Sequence, residues 1–247
     1  MKNVIFSDID GTILSEDYSF ESVKPAINQL TSLGIPIILC SSKTRAEIEF
    51  YRKEIGIKDP FISENGAAIF IPKNYFSQMP KYDKSTDQYN IIEIGTPYFL
   101  LRQKIKDIRE RNNIDIIGFG DLSAEELSKE SKLPLELAIL AKQREYDEPF
   151  RVLTDNENQL INIIDSEGLY LTKGDCYWHL KGNHDKGSAV TSLIELFSQN
   201  FGQIRTAGIG NSPNDLPMLS AVEKPFWVGE TDQIEKVWKK VVMWVSE

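Results

Sequence analysis

The chain has 247 residues, 41% apolar and 26% charged, a balance that supports a sizeable buried core and argues against a disordered or fibrous protein. Its 28 basic and 37 acidic side chains leave a net charge of −9, which repels nucleic acid and anionic membrane surfaces, so neither is expected as a partner. The same field repels small anions, so a site for one needs local cations and a metal ion.

The residues before Asp8 are too few for a secretory signal, and the longest apolar run, near Ile35 to Cys40, is too short to span a bilayer. Cys40 and Cys176 both lie in apolar or strand-like segments. A cytoplasmic protein with buried thiols is expected, a Cys40–Cys176 disulfide being the less favoured reading.

Val4 to Phe6 reads as a buried parallel strand ending in carboxylates. Val23, Ile27 and Leu30 follow at helical spacing, and Gly34 stops that helix. Ile35 to Cys40 is a second strand, Thr44 to Ile55 a polar helix, and Phe61-Ile62 starts a third strand. This alternation predicts a doubly wound, Rossmann-like α/β core with a parallel sheet. Lys73 to Asp87 is polar, with Pro, Asn, Ser and Lys, and reads as a linker. Thr96-Pro97 starts a helix with Tyr98, Leu101, Ile105 and Ile108 on one face. Two more helical stretches, a strand near Phe150 to Leu153, a further helix and the run Gly168 to Leu180 suggest an inserted α+β domain. Gly174-Asp175 reads as a hairpin tip and His179 as a packed side chain on a strand. The core is expected over 1–80 and 184–247, the insert over 81–183. After His184 a helix packs Ala189, Val190, Leu193, Ile194 and Phe197. Ile204 to Ile209 is a strand, Ser212 to Ala221 a helix, and Phe226 to Val228 a short strand. Trp238, Val241 and Val242 suit a closing amphipathic helix.

Asp8-Ile9-Asp10-Gly11-Thr12 closes the first strand. Asp8 and Asp10 are two apart, so both reach the same side of the sheet rim, where open α/β sheets bind ligands. Two carboxylates this close repel unless a cation lies between them, and Mg2+ prefers such oxygen donors. A solvated acidic loop is the alternative. Gly208 to Asp215 again runs from a strand into a helix. Ser212 and Asp215 match a capping box, and Asp215 also suits a metal ligand at the rim. Lys186 opens a helix whose N-terminus favours an anion, although a solvated lysine is equally compatible. Ser41-Ser42-Lys43-Thr44-Arg45 follows the second strand, either as a helix cap or as a phosphate cradle of hydroxyls and amides beside two cations. Ser63-Glu64-Asn65-Gly66 reads as a tight turn.

In order and placement these segments resemble the haloacid dehalogenase superfamily of phosphatases. Asp8-x-Asp10-Gly11-Thr12 resembles its first motif, Ser41 its second, Lys186 its third, and Asn211 with Asp215 its fourth. The insert between the second and third motifs resembles the branch with a larger α+β cap, as does Ser63-Glu64-Asn65-Gly66-Ala67. The resemblance implies Asp8 as nucleophile, Asp10 as general acid and base, and Lys186 and Ser41 on the phosphate. It implies Mg2+ held by Asp8, Asp10 and Asp215, with Asn211 contributing. The superfamily usually has an aspartate where this chain has Asn211, so the metal site carries one charge fewer.

Ser42 to Glu47, Arg144 to Phe150 and Gly182 to Gly187 further resemble the mannosyl-3-phosphoglycerate phosphatase family, which releases mannosylglycerate, a compatible solute. That resemblance implies a small phosphosugar substrate and substrate contacts from Ser42, Lys43, Arg45, Arg144, Tyr146, Asn183 and His184. Lys43, Arg45 and Arg144 are the candidate cations for a glycerate carboxylate, and insert acids or Tyr146 the candidates for sugar hydroxyls. For Arg144, pairing with Glu145, Asp147 or Glu148 is the structural alternative. Two other readings stay open: a superfamily enzyme acting on glucosyl-3-phosphoglycerate, sucrose phosphate, a hexose phosphate or a phosphosugar mutase substrate, and a phosphosugar-binding protein without turnover. No residue pattern sets an oligomeric state.

Overall fold

The computed structural model describes residues 1–15, 17–79, 81–112, 114–153, 157–173, 177–229 and 233–247. In chain order the elements are β1 (Lys2–Ser7), α1 (Lys24–Ser32), β2 (Ile37–Cys40), α2 (Arg45–Ile55), β3 (Phe61–Ser63), β4 (Ala68–Pro72), β5 (Lys84–Ser85) and β6 (Tyr89–Glu93). Then come α3 (Tyr98–Asn112), β7 (Ile116–Gly118), α4 (Ala124–Ser131), α5 (Leu135–Ala141), β8 (Asp147–Val152), α6 (Glu157–Ser166), β9 (Tyr170–Lys173) and β10 (Trp178–Lys181). The chain closes with α7 (Lys186–Phe201), β11 (Ile204–Gly210), α8 (Leu216–Ala221), β12 (Lys224–Trp227) and α9 (Ile234–Val245). No helix among the described residues is long and apolar enough to cross a membrane.

Two compact units result. The first comprises Met1–Ser42, Ile48–Glu93 and Asp185–Glu247; the second comprises Lys43–Glu47 and Ile94–His184. The first is built on an eight-stranded sheet in the order β12-β11-β1-β2-β3-β4-β6-β5. β12, β11, β1, β2 and β3 are mutually parallel, whereas β4, β6 and β5 add an antiparallel edge. The parallel sheet expected from the alternation is formed by those first five strands. The polar stretch expected as linker ends in the β5–β6 hairpin, and β6 hydrogen-bonds along β4 from Glu93 opposite Ala68 to Tyr89 opposite Pro72. The division thus falls at 93/94 rather than 80/81, because backbone pairing ties 84–93 to the first sheet.

Continuous apolar runs on the inner strands, Val4-Ile5-Phe6 and Ile37-Ile38-Leu39, are buried. Strands covered on both faces need such runs. α7 starts at a capping box in which Asp185 Oδ1 accepts from Ser188 N at 2.7 Å, which makes Lys186 the first helical residue. At the C-terminus, Val237, Trp238, Val241 and Trp244 bury one face of α9, with Val242 half-buried beside them.

The second unit is a four-stranded antiparallel sheet, β7-β8-β10-β9. Leu101, Ile105 and Ile108 of α3 and Leu160 and Ile164 of α6 pack with Phe150 and Leu180 of the sheet. α4 and α5 bury Leu127, Ala138 and Ala141 against Phe119. The strand expected near Phe150 begins earlier, at Asp147. Cys176 and the Gly174-Asp175 hairpin reading lie outside the described residues.

Candidate active site

The carboxyl ends of β11, β1 and β2 lie side by side, with Ser7 in register with both Ile209 and Leu39. The chain leaves β1 towards β2 on one side and returns through β11 on the other, which makes this rim the topological switch point of the sheet. The next residues on the three strands are Asn211, Asp8 and Ser41. Ser41 is held from both sides: its N–H donates to Ile62 O at 3.1 Å, and its carbonyl accepts from Asn65 N at 2.9 Å.

Lys186 is 1% exposed and its Nζ donates to Asp8 Oδ1 at 2.7 Å and to Asp215 Oδ1 at 2.6 Å. Burial disfavours its charge, but Asp8 and Asp215 outweigh burial and hold the ammonium above its ordinary value. Burial pushes the Asp8 carboxyl up to about 7; Lys186 pulls it down, while Asp215 and Asp10 add to the rise. Asp8 Oδ2 accepts from no described residue. Asp215 is fully buried, and its Oδ2 accepts from Asn211 N at 2.9 Å and Ser212 N at 3.0 Å. The capping reading of Asp215 is thus realised on Oδ2, while Oδ1 accepts from Lys186.

Asp10 is half-buried just past Asp8, where Gly11 N donates to Leu14 O at 2.8 Å and turns the chain. Gly11 has φ +67°, and a Cβ there would lie 2.2 Å from Asn211 Nδ2, so the position excludes a side chain twice over. Asn211 Oδ1 accepts from Thr12 Oγ1 at 3.3 Å, and Thr12 O accepts from Trp238 Nε1 at 2.8 Å. The α9 tryptophan therefore anchors the first motif, a connection that 226 residues of separation hid from the sequence.

Among the described residues no three His, Cys, Asp or Glu side chains stand in metal-ligand geometry; the Lys186 ammonium lies between the Asp8 and Asp215 carboxylates. The donor set nevertheless suits a hard divalent cation. Asp8, Asp10 and Asp215 are all oxygen donors, and the one ammonium paired with Asp8 and Asp215 is that of Lys186, so three carboxyl groups stand against one cation there. The Asn211 amide adds a neutral oxygen.

Ser42 is half-buried in the first unit. The other expected substrate contacts fall in the second. Lys43 is buried 3.7 Å from Glu47, and Arg45 Nε lies 3.2 Å from Glu145 Oε2. Arg144 Nε donates to Ala141 O at 3.0 Å and its guanidinium sits 5.5 Å over the Phe119 ring. Tyr146 and His184 are buried and Asn183 is exposed; His184 O accepts from Lys181 Nζ at 2.6 Å. Burial raises the fully buried Asp147, but His179, Arg144 and His184 more than reverse this and hold it below its ordinary value. His179 is no bystander on its strand, since its Nδ1 lies 2.9 Å from Asp147 Oδ2. Cys40 is a free buried thiol that burial pushes up, away from thiolate chemistry.

The family model for haloacid dehalogenase-like hydrolases matches residues 5–245. Over 236 residues the chain is 48% identical to the glucosyl-3-phosphoglycerate/mannosyl-3-phosphoglycerate phosphatase of Methanococcoides burtonii, covering 94% of this chain and 86% of that one. It is 39% identical over 229 residues to the mannosyl-3-phosphoglycerate phosphatase of Pyrococcus horikoshii, covering 93% and 91%. Among solved structures, a Thermoplasma acidophilum protein shares the fold at a TM-score of 0.69 and 18% identity, covering 100% of this chain and 99% of that one. A haloacid dehalogenase-like hydrolase from B. subtilis does so at 0.63 and 19% identity, covering 96% and 92%. With the family model spanning nearly the whole chain and the acidic motif at the switch point of its sheet, this protein belongs to the haloacid dehalogenase-like hydrolase family.

Proposed function

We propose that the chain is a Mg2+-dependent phosphatase that hydrolyses mannosyl-3-phosphoglycerate to mannosylglycerate and phosphate. The observation that carries this reading is the state of Asp8: one oxygen fixed by Lys186, the other without a hydrogen-bond donor among the described residues. In the reaction Asp8 Oδ2 attacks phosphorus in line, the bond to the glycerate oxygen breaks, and an aspartyl-phosphate forms. Asp10 gives its proton to the leaving oxygen. It then takes a proton from the water whose attack on phosphorus releases inorganic phosphate and restores Asp8. Lys186 and Ser41 hold phosphate oxygens as charge shifts onto them. Asp8, the Asp10 backbone carbonyl, Asp215 and Asn211 would hold Mg2+, which when bound supplies charge neutralisation at the phosphate. Enhancements for this class of reaction approach roughly 10²¹-fold, so positioning and electrostatics carry most of the work.

In this reading Arg144 and the acids near it in sequence are the candidate groups for the glycerate carboxylate and the sugar hydroxyls. Glucosyl-3-phosphoglycerate is the second substrate, because relatives at 48% and 41% identity are named for both glycosides. We also infer a cytoplasmic site of action, from the free buried thiol of Cys40. The test is release of inorganic phosphate across a panel of phosphosugars with Mg2+. Preferred turnover of the two glycosyl-3-phosphoglycerates is expected. Preferred turnover of a hexose phosphate or sucrose phosphate would reassign the substrate, and tight binding without release would make the protein a phosphosugar binder.

A further inference from the structure

The Ser63-Glu64-Asn65-Gly66 segment reads in sequence as an ordinary Asn-Gly turn, yet its conformation is costly. Glu64, Asn65 and Gly66 have φ of +46°, +61° and +97° in succession. Left-handed residues other than glycine are strained and persist only where the surroundings enforce them. Glu64 and Asn65 are 0% and 3% exposed, so this is no surface hairpin tip.

The turn touches three of the segments placed above in the site. Asn65 N donates to Ser41 O at 2.9 Å. Asn65 Oδ1 accepts from Asn214 Nδ2 at 3.1 Å, and Asn214 immediately precedes Asp215. A Cβ on Gly66 would lie 2.0 Å from Asp185 O and 3.0 Å from Lys186 N, so the turn abuts the start of α7 along its bare edge. One residue thus links Ser41 by its backbone and the Asp215 loop by its side chain, while its neighbour seats Lys186.

We propose that Asn65 is a positioning residue for phosphoryl transfer, its side chain holding the Asn214–Asp215 loop in register with Ser41. The inference rests on the phosphatase reading above. An Ångström of misplacement in a preorganised site costs on the order of 100-fold in rate.

The test compares Asn65→Ala, Asn65→Gly, Asn65→Asp, Asn214→Ala and the Asn65→Ala/Asn214→Ala double variant on p-nitrophenyl phosphate. Asn65→Gly accepts the left-handed backbone and deletes the side-chain amide, which keeps the test available should Asn65→Ala fail to fold. Asn65→Asp keeps both the acceptor and a tolerance for that backbone. Asn65→Ala and Asn65→Gly are expected to lower kcat roughly 10- to 100-fold with little change in KM, and Asn65→Asp to recover most of it. The double variant is expected to be no slower than the slower single one, since both remove the same link. Wild-type kcat in Asn65→Gly, or losses that multiply in the double variant, would overturn the proposal. If the wild type released no phosphate from any ester, the functional reading would fail on its own. Calorimetric titration with inorganic phosphate and Mg2+ would then decide this inference: binding weakened at least fivefold in Asn65→Gly supports it, and unchanged binding overturns it.

Discussion

In the first unit Asp8 and Asp215 share the buried ammonium of Lys186; in the second, Glu148 and Asp121 share Arg102. The two clusters use the same chemistry and end in different states. Glu148 is fully buried and saturated: Oε1 accepts from Arg102 at 2.6 Å and Gly120 N at 3.2 Å, and Oε2 from Tyr98 Oη at 2.5 Å. Burial raises its carboxyl, with those partners opposing. Asp121 accepts from Arg102, Arg109 and Gly118 N, which together outweigh burial and hold it well below the usual carboxylate range. Every oxygen of the second cluster is engaged, and its product is a fixed Gly118–Leu122 turn. Asp8, at the end of a parallel strand, keeps one oxygen without a donor among the described residues. Buried paired charge therefore marks scaffold and site alike; spare acceptor capacity at a strand end separates them.

The largest expected effect breaks the first cluster. Asp8→Asn is nearly isosteric and removes the nucleophile, so turnover is expected to fall by at least about 100-fold with thermal unfolding scarcely changed. Residual activity above about 1% would assign the nucleophile elsewhere. Breaking the second cluster should do the converse. Glu148→Ala leaves Arg102 and Tyr98 without their acceptor and is expected to cost roughly 3 kcal/mol in urea unfolding. Its kcat on p-nitrophenyl phosphate should stay within about threefold of wild type. A loss of rate without a loss of stability would move Glu148 into the chemistry.

Arg144→Ala is expected to cost about 1.5–3 kcal/mol in kcat/KM on mannosyl-3-phosphoglycerate, the scale of a charged hydrogen bond, and much less on p-nitrophenyl phosphate, which has no carboxylate. Equal losses on both esters would make Arg144 a structural residue beside Phe119. The smallest effect concerns Asn211→Asp. An added carboxylate near the metal is worth about 1 kcal/mol when largely screened, so Mg2+ half-saturation should fall roughly fivefold. Equal half-saturation in the two proteins would take Asn211 out of the metal's surroundings.

The motif residues were legible because their chemistry is local: a strand that ends in Asp-x-Asp-Gly, and helices that open at Asp185 and Ser212, each announce a rim position in a few residues. Arg45 and Lys43 read as candidate cations for a glycerate carboxylate, and the fold sets a carboxylate beside each, Glu145 and Glu47, which the sequence did not show. His179 read as packing, and its pairing with Asp147 depends on a β8–β10 register that sets Lys181 opposite Asp147. The β5–β6 hairpin was hidden in a polar stretch because its strands are short and one is exposed, so burial imprinted little alternation on them.

By itself the sequence determined the parallel core, the inserted α+β unit and the acidic rim, since apolar runs, turn residues and caps act over a few positions and record burial directly. Only the tertiary structure decided which buried carboxylates stay saturated and which keep a spare oxygen, where the insert begins, and that Asn65 and Trp238 brace the motifs. Those features depend on partners up to 226 residues away in the chain. Hydrogen-bond saturation belongs to the assembled neighbourhood, and no single segment carries it.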